Sequence, residues 1–352
     1  MLDTVLDAVT NAVPFLAPVL PYILLVIGFL ALIKGADLFV DGSSSIAKRL
    51  RIPDLIVGLT IVAMGTSMPE LAVSVSAAIG GSSDIAIGNV VGSNILNILI
   101  ILGLSALILP LSIDKEMFRR DIPVLLLTAV LLPVLTLLSV GVAKGDHFSY
   151  LGRISGVVLV LLFIGYILLT VRSALRFRKE QALTASEGSA PTAGEEFKVF
   201  PWWKSILFTL GGAILIVIGG NLSVEGATDI AHQLGISEAV IGLTVVALGT
   251  SLPELVTSVI AARKGNSDIA LGNIVGSNIF NVLFILGTTV VILPINVDFG
   301  SFIDQLFLLA TSIILAITAF TGKKLTRIEG AVFLLLYVAY ACYLFFFANA
   351  AA

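Results

Sequence analysis

The sequence Gly-Thr-Ser-Met-Pro-Glu at residues 65–70 recurs as Gly-Thr-Ser-Leu-Pro-Glu at residues 249–254. Each hexapeptide places one glutamate, two hydroxyl side chains and a helix-breaking proline inside a run of residues apolar enough to cross a bilayer. A carboxylate at that depth is costly unless it has a partner. The two hexapeptides therefore predict a membrane protein with a pair of buried glutamates, and the partner most easily supplied is a cation.

The hexapeptides belong to a longer internal repeat. Residues 58–105 align with residues 242–289 at a constant offset of 184, without a gap, and 32 of the 48 aligned positions are identical. Duplicated membrane proteins can keep such similarity for packing alone. Packing does not explain why polar positions are among the identical ones, so we interpret the repeat as functional. One repeat extends over residues 22–171 and the other over residues 205–352.

The composition is that of a polytopic membrane protein. The chain has 352 residues, of which 58% are hydrophobic and 12% charged, whereas soluble domains carry roughly 25% charged residues. Apolar runs of about 20 residues, the length that spans a bilayer as a helix, recur along the chain. The hydropathy predicts ten spans, at about 22–40, 55–79, 84–109, 122–141, 149–171, 205–224, 239–262, 268–293, 302–320 and 328–348.

The positions of Lys and Arg orient these spans. With both termini outside, 17 of the 20 Lys and Arg residues fall on the inner side, as expected for cytoplasmic loops. Five spans per repeat is an odd number, so the two copies cross the membrane in opposite directions, and substrate sites of such pairs lie near the midplane. We predict an all-α integral protein of the cell membrane: ten transmembrane helices as two inverted five-helix repeats, with broken helices at the midplane.

The remaining segments and partners follow from composition. Residues 1–21 form an N-terminal lead-in, and the polar stretch 172–204 is predicted to be a flexible cytoplasmic linker. The single cysteine, Cys342, excludes a disulfide framework, and with only two histidines a zinc site of the Cys/His type is disfavoured. We expect a lipid bilayer around a monomer, with no cofactor and no nucleic-acid partner.

The hexapeptides supply the first cluster of candidate ligands: Thr66, Ser67, Glu70, Thr250, Ser251 and Glu254. Their prolines should break or kink the helices, because proline lacks a backbone donor. Carbonyl groups around Ala63 and Ala247 would then be free to face a cavity, where irregular backbone is tolerated in a membrane.

A second polar cluster follows at residues 88–97 and 272–281. Ser93, Asn97, Ser277 and Asn281 could bind an ion, or they could serve hydrogen bonds between helices. For four other asparagines of the same segments, hydrogen bonds between helices are the favoured role: Asn89, Asn94, Asn273 and Asn278.

The donor set indicates a hard cation. Carboxylate, hydroxyl, amide and carbonyl oxygens, without thiolate or imidazole, suit Ca²⁺, Mg²⁺, Mn²⁺ or alkali ions. Ca²⁺ accepts six to eight oxygens in flexible geometry, which fits two glutamates and many neutral oxygens better than Mg²⁺ does. Because empty carboxylates would repel each other, the site should hold Ca²⁺, Na⁺ or protons at every stage, and their mutual exclusion would give exchange.

The doubled motif resembles the α-repeats of the cation/Ca²⁺ exchanger superfamily, and most closely its prokaryotic Na⁺/Ca²⁺ exchanger branch. The motif is Gly-Thr-Ser-X-Pro-Glu followed by Gly-Asn-X-Val-Gly-Ser-Asn-Ile, and the resemblance covers essentially the whole chain. It implies an alternating-access antiporter of Na⁺ and Ca²⁺ with Glu70 and Glu254 as principal ligands. The implied assisting ligands are Thr66, Ser67, Thr250, Ser251, Ser93, Ser277 and the carbonyls of Ala63 and Ala247.

One position departs from part of this superfamily. Some members, including K⁺-dependent ones, carry Asp where this chain has Asn281, and Asn97 is neutral as well, which disfavours K⁺ dependence. Relatives that exchange H⁺ usually have Gly-Asn-Ala in place of Gly-Thr-Ser, so Na⁺ is favoured, with H⁺/Ca²⁺ or other divalent antiport as the alternative. A cation channel fits less well, because channels usually build their ion pathways from symmetric rings of subunits. An intramembrane hydrolase would leave the repeated hydroxyl and amide groups without a role, and we expect no enzyme activity.

Charges outside these clusters have simpler interpretations. Lys34, Asp37 and Asp41 share one side of the first span and predict a local ion pair. Arg263 and Lys264 are interpreted as topology signals or lipid contacts.

Overall fold

The computed structural model describes residues 18–139, 148–186, 199–234 and 247–344. Most of the predicted lead-in, the middle of the predicted linker and the start of the predicted seventh span lie outside the described residues. The described residues are almost entirely helical, which confirms the all-α membrane class. Their helices are α1 Leu20–Leu50, α2 Asp54–Thr66, α3 Met68–Ile79, α4 Ser83–Ile108, α5 Met117–Leu138, α6 Arg153–Ser186, α7 Trp202–Gln233, α8 Ala247–Thr250, α9 Leu252–Arg263, α10 Ser267–Ile292, α11 Phe299–Gly322 and α12 Arg327–Tyr343.

Seven of the described helices are long and apolar enough to cross a membrane, and the bent pair α2–α3 makes an eighth span if counted as one. The other two predicted spans are α8–α9, whose predicted first residues lie outside the described ranges, and α12, which has 17 residues. The count of ten therefore stays a prediction. α4 and α10 lie at the centre of the bundle, with 72% and 83% of their apolar windows buried, against 39% and 33% for α1 and α7.

Glycines bring α1 and α7 into backbone contact. A Cβ atom at Gly28 would lie 2.8 Å from the carbonyl oxygen of Gly219, and one at Gly212 would lie 2.7 Å from that of Gly35. No larger residue fits such an approach. The numbers fall along α7 as they rise along α1, so the two helices are antiparallel.

The predicted helix break is confirmed in the first hexapeptide. α2 ends at Thr66, α3 begins at Met68, and the two axes differ by 45°. Pro69 is the second residue of α3, in the first turn, where a missing backbone N–H costs no helical hydrogen bond. In the second hexapeptide α8 and α9 are likewise separated at Ser251. Each proline thus starts the second half of a broken helix.

Two features were not predicted from the sequence. Helices α2, α4 and α10 each contain a wide π-helical turn, at Gly58–Val62, Asn97–Ile101 and Asn281–Leu286, and such turns frequently occur at functional sites. Four short strands also pair antiparallel: β1 Leu111–Ser112 with β4 Lys324–Leu325, and β2 Ser149–Leu151 with β3 Ile295–Val297. Each pair joins a loop of the first half of the chain to a loop of the second half.

Candidate cation-binding site

The two hexapeptides meet in the centre of the bundle. Ser67 Oγ donates a hydrogen bond to Glu254 Oε1 at 2.6 Å, and Ser251 Oγ donates to Glu70 Oε1 at 3.1 Å. These two contacts are related by the sequence offset of 184, so each serine of one repeat binds the glutamate of the other. The structure therefore brings together the two carboxylates that are far apart in sequence.

Both carboxylates are inaccessible to solvent. Glu70 is 1% exposed and Glu254 is 0% exposed, and their charges are close enough to repel each other. Neither forms an ion pair with any Lys or Arg side chain that the structure describes. The second oxygen of each, Glu70 Oε2 and Glu254 Oε2, is buried without a hydrogen-bond partner. Since a buried unpaired carboxylate is costly, these oxygens need a positive partner.

The threonines of the hexapeptides face asparagines of the opposite repeat. Thr66 Oγ1 lies 3.1 Å from Asn273 Oδ1, and Thr250 Oγ1 lies 3.3 Å from Asn89 Oδ1. The offset of 184 relates these contacts as well. Both are hydrogen bonds between helices, which confirms the role predicted for Asn89 and Asn273.

The same asparagines bind two serines that the sequence analysis missed. Asn89 Nδ2 donates to Ser74 Oγ at 2.9 Å and to the backbone oxygen of Glu70 at 3.2 Å. Asn273 Nδ2 donates to Ser258 Oγ at 2.9 Å. Ser74 and Ser258 occupy the same position in both repeats, four residues after each glutamate, and this identity was the available signal. Through these bonds the asparagines anchor the helices that carry the glutamates.

The serines of the second cluster extend this polar centre. Ser93 Oγ lies 3.2 Å from Ser251 Oγ. Ser277 Oγ neighbours the Glu254 carboxylate but makes no hydrogen bond and is buried. Both serines therefore lie beside the hexapeptides, where a bound ion could contact them.

The asparagines of the second cluster divide into two roles. Asn94 Nδ2 donates to the backbone oxygen of Asn278 at 3.2 Å, and Asn281 Nδ2 donates to Asn94 Oδ1 at 3.1 Å. The amide oxygen of Asn281 and both amide atoms of Asn97 are buried without a partner. Asn94 thus serves contact between helices, whereas Asn97 and Asn281 retain oxygens that are free of hydrogen bonds. The prediction for Asn278 was wrong, because both atoms of its side-chain amide are buried without a partner and only its backbone oxygen joins the contact.

The carbonyl of Ala63 was expected to be free of hydrogen bonds, and it is not. Ser67 N donates to the Ala63 oxygen at 3.1 Å, and the Thr66 hydroxyl lies 3.3 Å from it. The physical reason is the spacing of helical hydrogen bonds: Pro69 lacks the N–H that would pair with the carbonyl four residues earlier. That carbonyl belongs to Gly65. Ala247, the counterpart of Ala63, is the first described residue of α8.

The unpaired buried atoms have a common chemistry. Six of those in the hexapeptides and the second cluster are oxygens that can bind a cation: Glu70 Oε2, Glu254 Oε2, Ser277 Oγ, Asn97 Oδ1, Asn278 Oδ1 and Asn281 Oδ1. Within the described ranges no three His, Cys, Asp or Glu side chains cluster to hold a metal, so neutral oxygens outnumber the two carboxylates. Such a set suits a hard cation that tolerates many oxygen ligands.

A cavity reaches this centre from one side. Its volume is about 550 Å³, and it lies between the second half of α7, the start of α3 and the α8–α9 break. Met68, Pro69, Thr250 and Pro253 are among its lining residues, and Glu225 is the acidic residue in its lining. Since Thr250 also contacts the Glu70 carboxylate, the cavity ends directly beside the candidate site.

A sequence model of the sodium/calcium exchanger protein family matches residues 20–172 and 204–346. The chain belongs to the sodium/calcium exchanger family. This is a family of transporters, so the polar centre lies in a cation/Ca²⁺ antiporter. The prediction of this family from the doubled motif is confirmed.

Relatives of this exchanger match over almost their full lengths. A putative antiporter, CaxA of Alkalimonas amylolytica, is 38% identical over 92% of this chain and 98% of its own. The sodium/calcium exchanger MaX1 of Methanosarcina acetivorans is 37% identical, with the same coverage. A solved structure of the sodium-calcium exchanger NCX_Mj, soaked with Na⁺ and Sr²⁺, is 33% identical and superposes with a TM-score of 0.77 over 92% of this chain and 98% of that one.

Proposed function

We propose that the chain exchanges Na⁺ for Ca²⁺ across the membrane by alternating access, and that the ions compete for one site built on Glu70 and Glu254. The observation that carries this proposal is the reciprocal pair of hydrogen bonds, Ser67 to Glu254 and Ser251 to Glu70. This pair joins both repeats at one buried centre whose second carboxylate oxygens lack partners.

Ca²⁺ fits the proposed ligands in number and kind. It binds six to eight oxygens at about 2.3–2.6 Å, and two carboxylates neutralise its charge. The proposed ligands are those expected from the sequence: Glu70, Glu254, Thr66, Ser67, Thr250, Ser251, Ser93, Ser277, Asn97, Asn281 and the backbone carbonyls of Ala63 and Ala247. The Ala63 oxygen accepts a hydrogen bond from Ser67 N and keeps a second lone pair for a cation.

Exchange follows from the cost of an empty site. Two buried carboxylates without a cation would repel each other in a medium of low dielectric constant, so Ca²⁺ can leave only as other positive charge arrives. Na⁺ is the proposed counter-ion because the matching family model, the relative MaX1 and the solved structure of NCX_Mj are all described as sodium/calcium exchangers. No cofactor is required for such a cycle.

Two inverted five-span repeats would provide the two access routes. The antiparallel contact of α1 with α7 supports this arrangement, as do the hydrogen bonds related by the offset of 184. The strand pairs support it too, because each joins loops that ten spans would place on the same side of the membrane. We propose repeats at residues 22–171 and 205–352, a cytoplasmic linker at 172–204, and both termini outside the cell membrane. One chain supplies both halves of the site, so a monomer suffices.

The cavity supports an assignment of the conformational state within this cycle. It lies along the second half of α7, which the proposed orientation directs toward the outside. The structure would then represent an outward-facing exchanger.

A gradient-swap flux assay tests the proposed counter-ion. Proteoliposomes loaded with Na⁺ and diluted into Na⁺-free buffer should take up ⁴⁵Ca²⁺, and liposomes with equal Na⁺ on both sides should not. Uptake that ignores the Na⁺ gradient but follows an imposed pH gradient would replace Na⁺ with H⁺. Uptake driven by neither gradient would indicate a channel and refute antiport by this site.

A further inference from the structure

Lys264 forms an ion-pair cluster with helix α1. Its Nζ atom lies 2.7 Å from Asp37 Oδ1, 2.5 Å from Asp41 Oδ1 and 2.9 Å from the backbone oxygen of Asp37. These three contacts match the three donors of an ammonium group. Lys34 also contacts Asp37, at 3.2 Å, which confirms the predicted local pair. The sequence interpretation of Lys264 as a topology signal or lipid contact did not include this pairing with residues 223 and 227 positions away in sequence.

This cluster joins two helices of the bundle. Lys264 directly follows α9, and Asp37 and Asp41 lie one turn apart on α1. Helices α1 and α9 pack against each other along this side. On the same stretch of α1, Ala36 and Val40 are both 0% exposed. The cluster therefore fastens α1 to α9 over a stretch of the bundle that is closed.

On the opposite side of the molecule lie α7 and α3, the counterparts of α1 and α9, without such an ion-pair cluster in the described part of the chain. At the offset of 184, Asp37 and Asp41 correspond to Asn221 and Glu225, and Lys264 corresponds to Gly80. No ammonium group is available at residue 80.

The cavity lies on this opposite side. Gly220 and Val224, the counterparts of the buried Ala36 and Val40, line it. It separates α7 from α3, the counterparts of the packed helices α1 and α9. The molecule thus has a cavity on the side where Gly80 takes the place of Lys264, and it is closed on the side that has Lys264.

We propose that Lys264 is a latch, a tethered cation that holds α1 against α9 and keeps the access path on that side closed until α1 separates from α9. This inference rests on the proposed alternating access for its role in transport. The three side chains are 22%, 37% and 32% exposed, and partly exposed ion pairs contribute modestly to stability. The latch can therefore open in each cycle.

The rate of cysteine modification tests the latch without any ion gradient. In a Cys342→Ser background, Val40→Cys reports the closed side and Val224→Cys reports the cavity. Purified protein in detergent is treated with a water-soluble maleimide, and the labelling rate of each cysteine is measured. We expect slow labelling of Val40→Cys and fast labelling of Val224→Cys. Adding Lys264→Gln should raise the rate at Val40→Cys by roughly three- to tenfold and leave the rate at Val224→Cys unchanged or lower.

Matched variants separate the latch from general loosening. Arg263→Gln removes the neighbouring cation, whose side chain is exposed, and should leave both rates unchanged. Lys264→Arg keeps the charge and should keep labelling of Val40→Cys slow. Asp41→Asn should raise the rate, and combining it with Lys264→Gln should add little. An unchanged rate at Val40→Cys in Lys264→Gln, or an equal increase in Arg263→Gln, would overturn the latch.

The flux assay tests the counter-ion and the labelling assay tests the latch, so either proposal can be refuted while the other stands. If the labelling rate depends on Lys264 but uptake does not depend on the Na⁺ gradient, the latch is supported and Na⁺ is refuted as the counter-ion. If uptake is driven by Na⁺ but the labelling rate does not depend on Lys264, Na⁺ exchange is supported and the latch is refuted.

Discussion

Ser67 and Glu254, 187 residues apart in sequence, are joined by a hydrogen bond of 2.6 Å in the buried centre of the molecule. Its counterpart joins Ser251 to Glu70 at 3.1 Å. Because each repeat holds the other's carboxylate, neither half of the chain contains a complete site.

Removing either serine hydroxyl should weaken Ca²⁺ binding to a similar degree. Hydrogen bonds to charged groups contribute about 1.5–3 kcal/mol, so Ser67→Ala and Ser251→Ala should each raise the Ca²⁺ concentration for half-maximal uptake by at least about tenfold. The measurement is initial ⁴⁵Ca²⁺ uptake against Ca²⁺ concentration. Ser76→Ala, on an exposed position of α3, is the control. Unchanged half-saturation in both variants would show that these hydroxyls do not support the site.

The cavity predicts a role for Glu225 in the approach of cations. Its carboxylate lines the cavity, and a negative charge in a cleft raises the local concentration of cations. Glu225→Gln should therefore slow Ca²⁺ uptake at subsaturating Ca²⁺ by about two- to threefold at low ionic strength, and by less in high salt. Asp229→Asn, one turn further along α7 on an exposed position, is the control. An equal effect of the two variants would argue against this cavity as the path.

The contact between α1 and α7 should not tolerate a methyl group. A Cβ at Gly212 would lie 2.6 Å from Phe39 N and 2.7 Å from the Gly35 oxygen, and backbone atoms cannot move aside. Gly212→Ala should lower the thermal midpoint of the purified protein, since overpacking costs about 1–3 kcal/mol. The neighbouring Gly211 has open space around its Cβ position, so Gly211→Ala should be neutral or slightly stabilising. Equal midpoints for the two variants would contradict the packing described here.

Acid should inhibit transport by competition. Protons bind the same two carboxylates, Glu70 and Glu254, that we propose as Ca²⁺ ligands, so lowering the pH should raise the Ca²⁺ concentration for half-maximal uptake. Saturating Ca²⁺ should restore most of the rate, because the two occupants exclude each other. Initial uptake measured over a grid of pH and Ca²⁺ values checks this, and a loss of maximal rate with unchanged half-saturation would contradict competition at these residues.

The helices and their breaks could be predicted because the signals are local. Apolar runs of about 20 residues indicate spans, and proline in each hexapeptide indicates where a helix ends. The doubled glutamate and hydroxyl pattern named residues that the structure brings together, among them Ser67 with Glu254 and Ser251 with Glu70. The sequence does not state which residues lie close in space. Polar positions that are identical at the offset of 184 indicated them, because such positions lie in the same environment in both repeats.

Features that depend on contacts between distant segments were missed. The pairing of Lys264 with Asp37 and Asp41 depends on how α9 meets α1, and neither helix carries a signal for its partner. The π-helical turns in α2, α4 and α10 depend on packing, because their sequences differ little from ordinary apolar helix. The Ala63 carbonyl is not free of hydrogen bonds as expected, because Ser67 N donates to it and Pro69 instead leaves the carbonyl four residues earlier, that of Gly65, without a donor.

The central claim is that Na⁺-driven Ca²⁺ uptake depends on both glutamates. The most direct test compares ⁴⁵Ca²⁺ uptake into Na⁺-loaded proteoliposomes for the wild-type protein, Glu70→Gln and Glu254→Gln, with equal amounts of folded protein established by gel filtration. Glutamine keeps the shape and removes the charge, so we predict Na⁺-dependent uptake in the wild type and none above background in either variant. Wild-type uptake by Glu70→Gln or by Glu254→Gln would contradict the account.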